Sequence, residues 1–192
     1  MLNTIYGDNL HEMEKTREEV ISVIEDERER LRKKYDADPV EHLLSRIKSE
    51  ESMREKCRRK GIPETSYSAL HVIRDAIGVR AVCDFLNDVY ELRNALVKRF
   101  ETVEEKDYIK NVKPNGYRSL HLILKDNDFY VEVQLRTISM DTWAALEHNI
   151  RYKRDISGNT ELIAKELKRC ADELASTDVQ MQTLRDLING EL

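Results

Sequence analysis

Two stretches near the middle of the chain, RSLHLILKD at 118–126 and FYVEVQLRT at 129–137, alternate apolar and polar residues with a period of two. Successive side chains of a strand point to opposite faces, so this period specifies strands and not helices. It places Leu120, Leu122 and Leu124 on one face, with Tyr117, Ser119 and His121 opposite. In the second stretch Val131, Val133 and Leu135 share a face, and Glu132, Gln134 and Arg136 share the other. Turn signals at Asn115-Gly116 and Asp126-Asn127-Asp128 bound these strands. An antiparallel pair with one apolar face must be covered by a second layer, which commits the chain to a sheet with helices on it. The opposite face carries a carboxylate, an amide, a guanidinium, an imidazole and a phenol. A solvated face would serve, but such faces tend towards Lys, Glu and Thr, and this set is chemically richer.

The flanking segments supply the helices. Leu10, Met13, Val20, Ile24 and Leu31 fall in a heptad-like stripe broken by Arg17 and Glu27, which predicts a long amphipathic helix. The segment from Asp36 to Gly61 reads as a second helix, with Asp38 as N-cap, Pro39 in the first turn and Gly61 past the end. ETSYSALHVIRDAI at 64–77 reads as a shorter helix, GVRAVCDF at 78–85 as a buried strand, LNDVYELRNALVKRF at 86–100 as helix and ETVEEKDYI at 101–109 as strand. MDTWAALEHNIRYK at 140–153 is helical, DISGN at 155–159 is a break, and a long helix continues to Ile188. On that last helix Leu167, Cys170, Leu174, Met181, Leu184 and Ile188 form a stripe that suits either intramolecular packing or a homo-oligomer. The expected architecture is α/β (α+β), a mixed sheet of about four or five strands flanked by helices, with long helices at both termini.

Composition narrows the class. The chain has 192 residues, enough for one well-buried core, and no repeat of 20–50 residues or low-complexity segment is present. No apolar run reaches the roughly 20 residues that span a bilayer, so membrane association is not expected and a cytoplasmic protein is. Cys57, Cys83 and Cys170 are scattered and odd in number, which argues against a disulfide framework or a zinc site. The net charge of −5 argues against nonspecific nucleic-acid binding driven by overall charge, although a local basic patch leaves RNA binding open.

Such a patch exists. Residues 46–60, RIKSEESMREKCRRK, carry seven Lys or Arg against three Glu. On the expected helix Lys48, Ser52, Lys56 and Arg59 fall within about 80° of one another, a stripe of donors suited to an extended polyanion such as a triphosphate. A solvated face laced with salt bridges is the plainer reading. In RDAIGVR, Asp75 stands at the mouth of the buried strand and Arg80 points out of it; by itself Asp75 fits a turn or cap. Signatures of P-loops, dinucleotide folds, zincins and serine hydrolases are absent, and none of the five histidines is followed by Asp.

Taken in order, SRIKSEESMREKCRRKG, RDAIGVRAVC, KDYIKNVKPNGYRSLHLIL, VEVQLRT and MDTWAALEHNIRYK together resemble the RelA/SpoT synthetase domain, in particular the small alarmone synthetases. The resemblance covers about residues 39–153 and implies a nucleotidyltransferase-like fold. It implies transfer of the β,γ-pyrophosphate of ATP to the 3′-hydroxyl of GDP or GTP, with Mg²⁺ as cofactor. Arg46, Lys48, Ser52, Lys56, Arg59 and Arg80 match the family's ATP-binding positions, Arg46 and Arg80 flanking the adenine. Asp75 and Glu132 match the catalytic carboxylates that bind metal or take the proton. Lys113, Asn115, Tyr117 and His121 match the guanosine-nucleotide loop, with Gln134 and Arg136 lining the same site and Glu147 and Asn149 as candidate guanine-edge contacts.

The resemblance further implies a single synthetase domain over 1–192, divided into an N-terminal helix (1–37), a catalytic core (38–153) and a C-terminal helix (154–192). Synthesis without hydrolysis is expected, as is a homo-oligomer, with a tetramer favoured. The mixed-charge segment Glu104–Asp107 leaves GDP versus GTP preference open, and His42 and Leu44 depart from the aromatic and hydroxyl pair expected where some relatives bind an activator. Two other readings stay open: a toxic relative that modifies adenosine nucleotides or tRNA, and a non-catalytic nucleotide- or RNA-binding regulator.

Overall fold

The computed structural model describes residues 4–153 and 159–191; the break expected at 155–159 lies outside the described residues apart from Asn159. The elements run α1 (Leu10–Tyr35), β1 (Val40–Ile47), α2 (Glu50–Lys60), β2 (Ile77–Cys83), α3 (Leu86–Arg99), β3 (Glu101–Asp107), β4 (Leu120–Asp126), β5 (Phe129–Thr137), α4 (Ile138–Lys153) and α5 (Thr160–Asn189). The five strands form one mixed sheet in the order β1-β2-β5-β4-β3, as the α+β expectation requires. Only the central β2–β5 pair is parallel, with Ile77 opposite Val131 and Ala81 opposite Leu135.

The alternation of β4 and β5 decides which face is buried. Leu120 pairs with Leu135, Leu122 with Val133 and Leu124 with Val131, and all six are fully buried. Val79 and Ala81 of β2 extend the same face, which α1 and α3 cover through Met13, Val20, Ile24, Val89, Leu92 and Leu96. Each such side chain contributes about 1.5–3 kcal/mol by leaving water. The heptad-like stripe of α1 is therefore buried within the chain at Met13, Val20, Ile24 and Leu31, with Leu10 exposed, and Thr16 fills the place that Arg17 left.

Two of the expected helices are corrected. Residues 38–60 divide into β1 and α2, because residues 40–47 pair antiparallel with β2 from Val40–Cys83 to Ile47–Ile77. Asp38 does not cap a helix: it accepts hydrogen bonds from Arg28 Nε at 2.7 Å, from Arg32 and from the Val40 amide. The true N-cap of α2 is Ser49, whose hydroxyl oxygen accepts from the Ser52 amide, and the helix ends at Gly61 with a φ of 66°. Pairing to a neighbouring strand overrode a favourable local cap signal. The helix expected over 64–77 shrinks to a π-type turn at Ser68–Val72, after which Ile73 is extended and buried.

The seam of α5 also differs from its apolar stripe. The side chains that it buries are Ala171, Asp178, Gln182 and Arg185, while Cys170, Met181, Leu184 and Ile188 are exposed. Polar residues succeed in the seam because each has a partner. The Gln182 carbonyl accepts from the Asn87 amide at the start of α3, and Thr137 donates to Asp178 at 2.6 Å. Arg185 reaches both oxygens of the fully buried Asp88 at 2.7 Å and stacks between the rings of Tyr35 and Phe85. Removing one member of a buried pair strands the other charge. Arg185→Leu is therefore expected to lower unfolding free energy by about 3–5 kcal/mol in urea titration, with Asp88→Leu on top recovering part of the loss.

Candidate functional site

Strand register assembles the polar face in rows. One row reads Leu44, Arg80, Gln134, His121 and Lys106 from β1 to β3, and the next reads Arg46, Gly78, Glu132, Ile123 and Glu104. Gly78 contributes no side chain, and an open cleft remains between Arg46, Arg80, Asp75, Glu132 and Gln134. A trough beside it is lined by Arg46, Lys48, Ser52, Lys56, Arg59 and His148. The donor stripe expected on one helix is thus built from two elements: Ser52, Lys56 and Arg59 stand on α2, while Lys48 follows β1. The Lys48 amide bonds to the Ala76 carbonyl at 2.8 Å, and Tyr6 donates to the Lys48 carbonyl at 2.6 Å.

Asp75 lies where these parts meet. Its Oδ2 accepts from Lys48 at 2.7 Å and from Lys56 at 2.5 Å. Burial alone would push its carboxyl up, but the two lysines outweigh it and hold the group below its ordinary range, so it is ionised. Its Oδ1 is buried without a partner. An anionic oxygen left unsatisfied in a cleft with a second carboxylate fits a hard cation, and Mg²⁺ takes one or two carboxylates and completes its shell with phosphate and water. Among the described residues no cluster of three or more potential ligands occurs, so Asp75 and Glu132 would hold such an ion only together with a phosphate. Glu132 is oriented by Gln134 Nε2 at 3.3 Å.

The β4 end carries aromatic rings. The Lys113–Gly116 turn closes through the Gly116 amide to the Lys113 carbonyl at 2.8 Å, and Asn115 Oδ1 accepts from the Tyr117 amide at 3.2 Å. Tyr117, Tyr108 and His121 then meet edge to face, with Lys113 Nζ 4.2 Å from the Tyr108 ring centre and 4.8 Å from that of Tyr117. Arg136 is almost wholly buried and acts as a strut: it donates to Ser119 Oγ, Asp141, Gln134 Oε1 and the Tyr117 hydroxyl, the last at 2.7 Å. Tyr117 therefore accepts from Arg136 and donates to His121 Nε2 at 2.8 Å. That requires a neutral imidazole, and His121 is neutral: burial, then the charges of Arg136, Lys113, Lys106 and Arg80, bring its pKa down to about 4.

Of the residues expected in the site, the cleft and trough unite Arg46, Lys48, Ser52, Lys56, Arg59, Asp75, Arg80, Glu132 and Gln134. Lys113, Asn115, Tyr117 and His121 gather at the other end. Asn115 Nδ2 reaches Glu147 at 3.5 Å, and Asn149 is exposed two residues further along α4. Sequence reading missed Tyr6, Tyr108, Asp141 and His148. Asp141 reads locally as an acidic residue in the first turn of a helix, yet its Oδ1 accepts from both Arg80 at 3.4 Å and Arg136 at 2.9 Å.

The family described as the region found in RelA/SpoT proteins matches residues 45–157, and the chain belongs to that family. Within it, the chain is similar to the GTP pyrophosphokinase YwaC of Bacillus subtilis, 42% identical over 153 residues that cover 74% of this chain and 72% of YwaC. Among solved structures it resembles small alarmone synthetase 1 from Bacillus subtilis bound to its product pppGpp, with a TM-score of 0.74, 31% identity and coverage of 92% and 94%. The same synthetase bound to AMPCPP matches with a TM-score of 0.67 at 28% identity, covering 93% and 94%.

The depressed His121 pKa has a consequence for stability. Between its folded value of about 4 and its unfolded value of about 6.5, the unfolded chain binds the extra proton, so stability rises with pH through that window and is lost on acidification. His121→Gln should remove up to about 3 kcal/mol of that loss between pH 6.5 and pH 4, read by denaturant unfolding at each pH.

Proposed function

We propose that the polar sheet face binds ATP at its β1–α2 end and GDP or GTP at its β4–α4 end, and transfers the β,γ-pyrophosphate of ATP to the guanosine 3′-hydroxyl. The chain is a GTP pyrophosphokinase, a transferase that makes (p)ppGpp. The observation that carries the assignment of residues is the position of Asp75 and Glu132, in one cleft with a cation-lined trough beside it and the aromatic platform further along the same face.

Arg46 and Arg80 flank the adenine, and guanidinium planes suit stacking on a base. Lys48, Lys56 and Arg59, with the Ser52 hydroxyl, receive the triphosphate; its arrival offers the two lysines new anionic partners in place of Asp75 Oδ2. Mg²⁺, held by Asp75 and Glu132 with the phosphates, would neutralise charge on the group in transfer. Tyr117 stacks on the guanine, and Lys113, Asn115 and His121 hold its ribose and phosphates. Glu132 takes the proton as the 3′-oxygen attacks the β-phosphorus; the bond to the bridging α,β-oxygen breaks and AMP leaves. No covalent protein intermediate is needed. None of the five histidines is followed by Asp, so the chain supplies no His-Asp centre for hydrolysis of its product.

The same reading places the protein in the cytoplasm, where its substrates are. It also makes the chain a homo-oligomer: the exposed Met181, Leu184 and Ile188 on α5 form an apolar row that a second copy would cover.

Incubation with Mg²⁺, ATP and GDP or GTP is expected to yield ppGpp or pppGpp on thin-layer chromatography. Glu132→Gln should lower turnover roughly 10²–10⁴-fold. Tyr117→Ala should raise the KM for the guanosine nucleotide far more than that for ATP. Wild-type protein that makes no product with either acceptor would refute the proposal.

A further inference from the structure

The Lys113–Arg118 loop does not stand free. Arg118, 14% exposed at its side chain, donates from Nη1 to the Gly116 carbonyl at 3.0 Å and to the Ala171 carbonyl of α5 at 3.2 Å, and from Nη2 to Asp172 Oδ1 at 2.8 Å. One guanidinium therefore joins the loop backbone to two successive residues of the C-terminal helix. The loop also lies directly on that helix. A Cβ built on Gly116 would stand 2.7 Å from Ala171 Cβ and 3.3 Å from Lys168 Cα, and Gly116 has a φ of +92°, so both space and backbone demand glycine.

We propose that Arg118 is a positioning residue for the acceptor nucleotide, tying the platform loop to α5 so that the C-terminal helix sets how tightly a guanosine nucleotide is held. The proposal rests on the assignment of Tyr117 to the acceptor end. The turn that carries Lys113 and Tyr117 is closed by its own hydrogen bonds; Arg136 and His121 hold the Tyr117 hydroxyl from the sheet, and the backbone of the turn rests on a second support. That support is α5, which is itself anchored to α4 through Trp143 and the Leu167 carbonyl, to the end of β5 through Asp178 and Thr137, and to α3 through Arg185 and Asp88. A loop released from the helix would have to be ordered on binding, a cost that falls on acceptor affinity. The donor end is built from β1, α2 and β2, on the far side of β5 from this contact, and is left intact.

The chain offers an internal reporter. Its one tryptophan, Trp143, has its ring centre 6.5 Å from that of Tyr117, so its emission follows occupancy of the platform without turnover. Arg118→Met is expected to raise the GTP dissociation constant, by Trp143 emission and by calorimetry, and the GTP KM roughly tenfold or more, while the ATP KM stays within about twofold. Asp172→Asn, which weakens one of the two bonds from Arg118 to α5, should shift GTP in the same direction by a smaller factor. Unchanged GTP affinity in Arg118→Met, or equal weakening of GTP and ATP, overturns the proposal. If Arg118→Met does not fold, Asp172→Asn decides: an unchanged GTP dissociation constant there refutes the tether. Wild-type protein that neither binds nor uses GTP would instead refute the functional reading, whatever the variants do.

Discussion

The parallel pairing of β2 with β5 is the constraint on which the site depends. Because Gly78 lies opposite Glu132 and Arg80 opposite Gln134, the strand that follows Asp75 leaves the space beside Glu132 open and sets Arg80 in the neighbouring row beside Gln134. A slip of β2 by one residue against β5 would turn Arg80 towards the core and Val79 towards solvent while Glu132 and Val133 stayed in place. The buried face forbids it, since Val79, Val131, Val133 and Leu135 have nowhere else to go. The hydrophobic layer thus aligns the chemistry without touching it.

Charge is the second organising problem. Arg80, Arg136, Lys113 and Lys106 all bear on the neighbourhood of His121, and a crowd of cations repels itself unless anions or neutral groups are interposed. The structure interposes Asp141 between two guanidiniums, shares Gln134 Oε1 between the same two, and keeps His121 neutral. At the other end Asp75 holds Lys48 and Lys56 in place. At both ends carboxylates fix the positions of the cations, so each end presents positive groups already held in place.

What was legible in the sequence was what is local. The alternation over 118–137 gave the correct faces, Gly61 marked the end of α2, and five ordered blocks carried the family. The misreadings share a cause: each concerned a segment whose state is decided by a distant partner. VEHLLSRI became a strand because β2 offers an edge, and Asp38 went to Arg28 and Arg32 of α1 instead of to a helix start. Of the two roles open to the α5 stripe, packing within the chain falls to other residues, because the buried seam is satisfied by Asn87, Asp88 and Thr137, residues from 41 to 97 positions away in the chain.

By itself the sequence determined the sheet's two faces, the helices of strong periodicity and the set of residue types available for nucleotide chemistry, because these follow from side-chain spacing along a single element. Only the tertiary structure decided that Lys48 joins α2 from the end of a strand, that Asp75 keeps one oxygen buried and unpaired, that Arg136 is a strut and that Arg118 binds the Lys113–Gly116 turn to α5. The physical reason is that a hydrogen bond or an ion pair is defined by distance in space, and the chain brings those atoms together only when burial of the apolar face has closed the sheet and docked the helices around it.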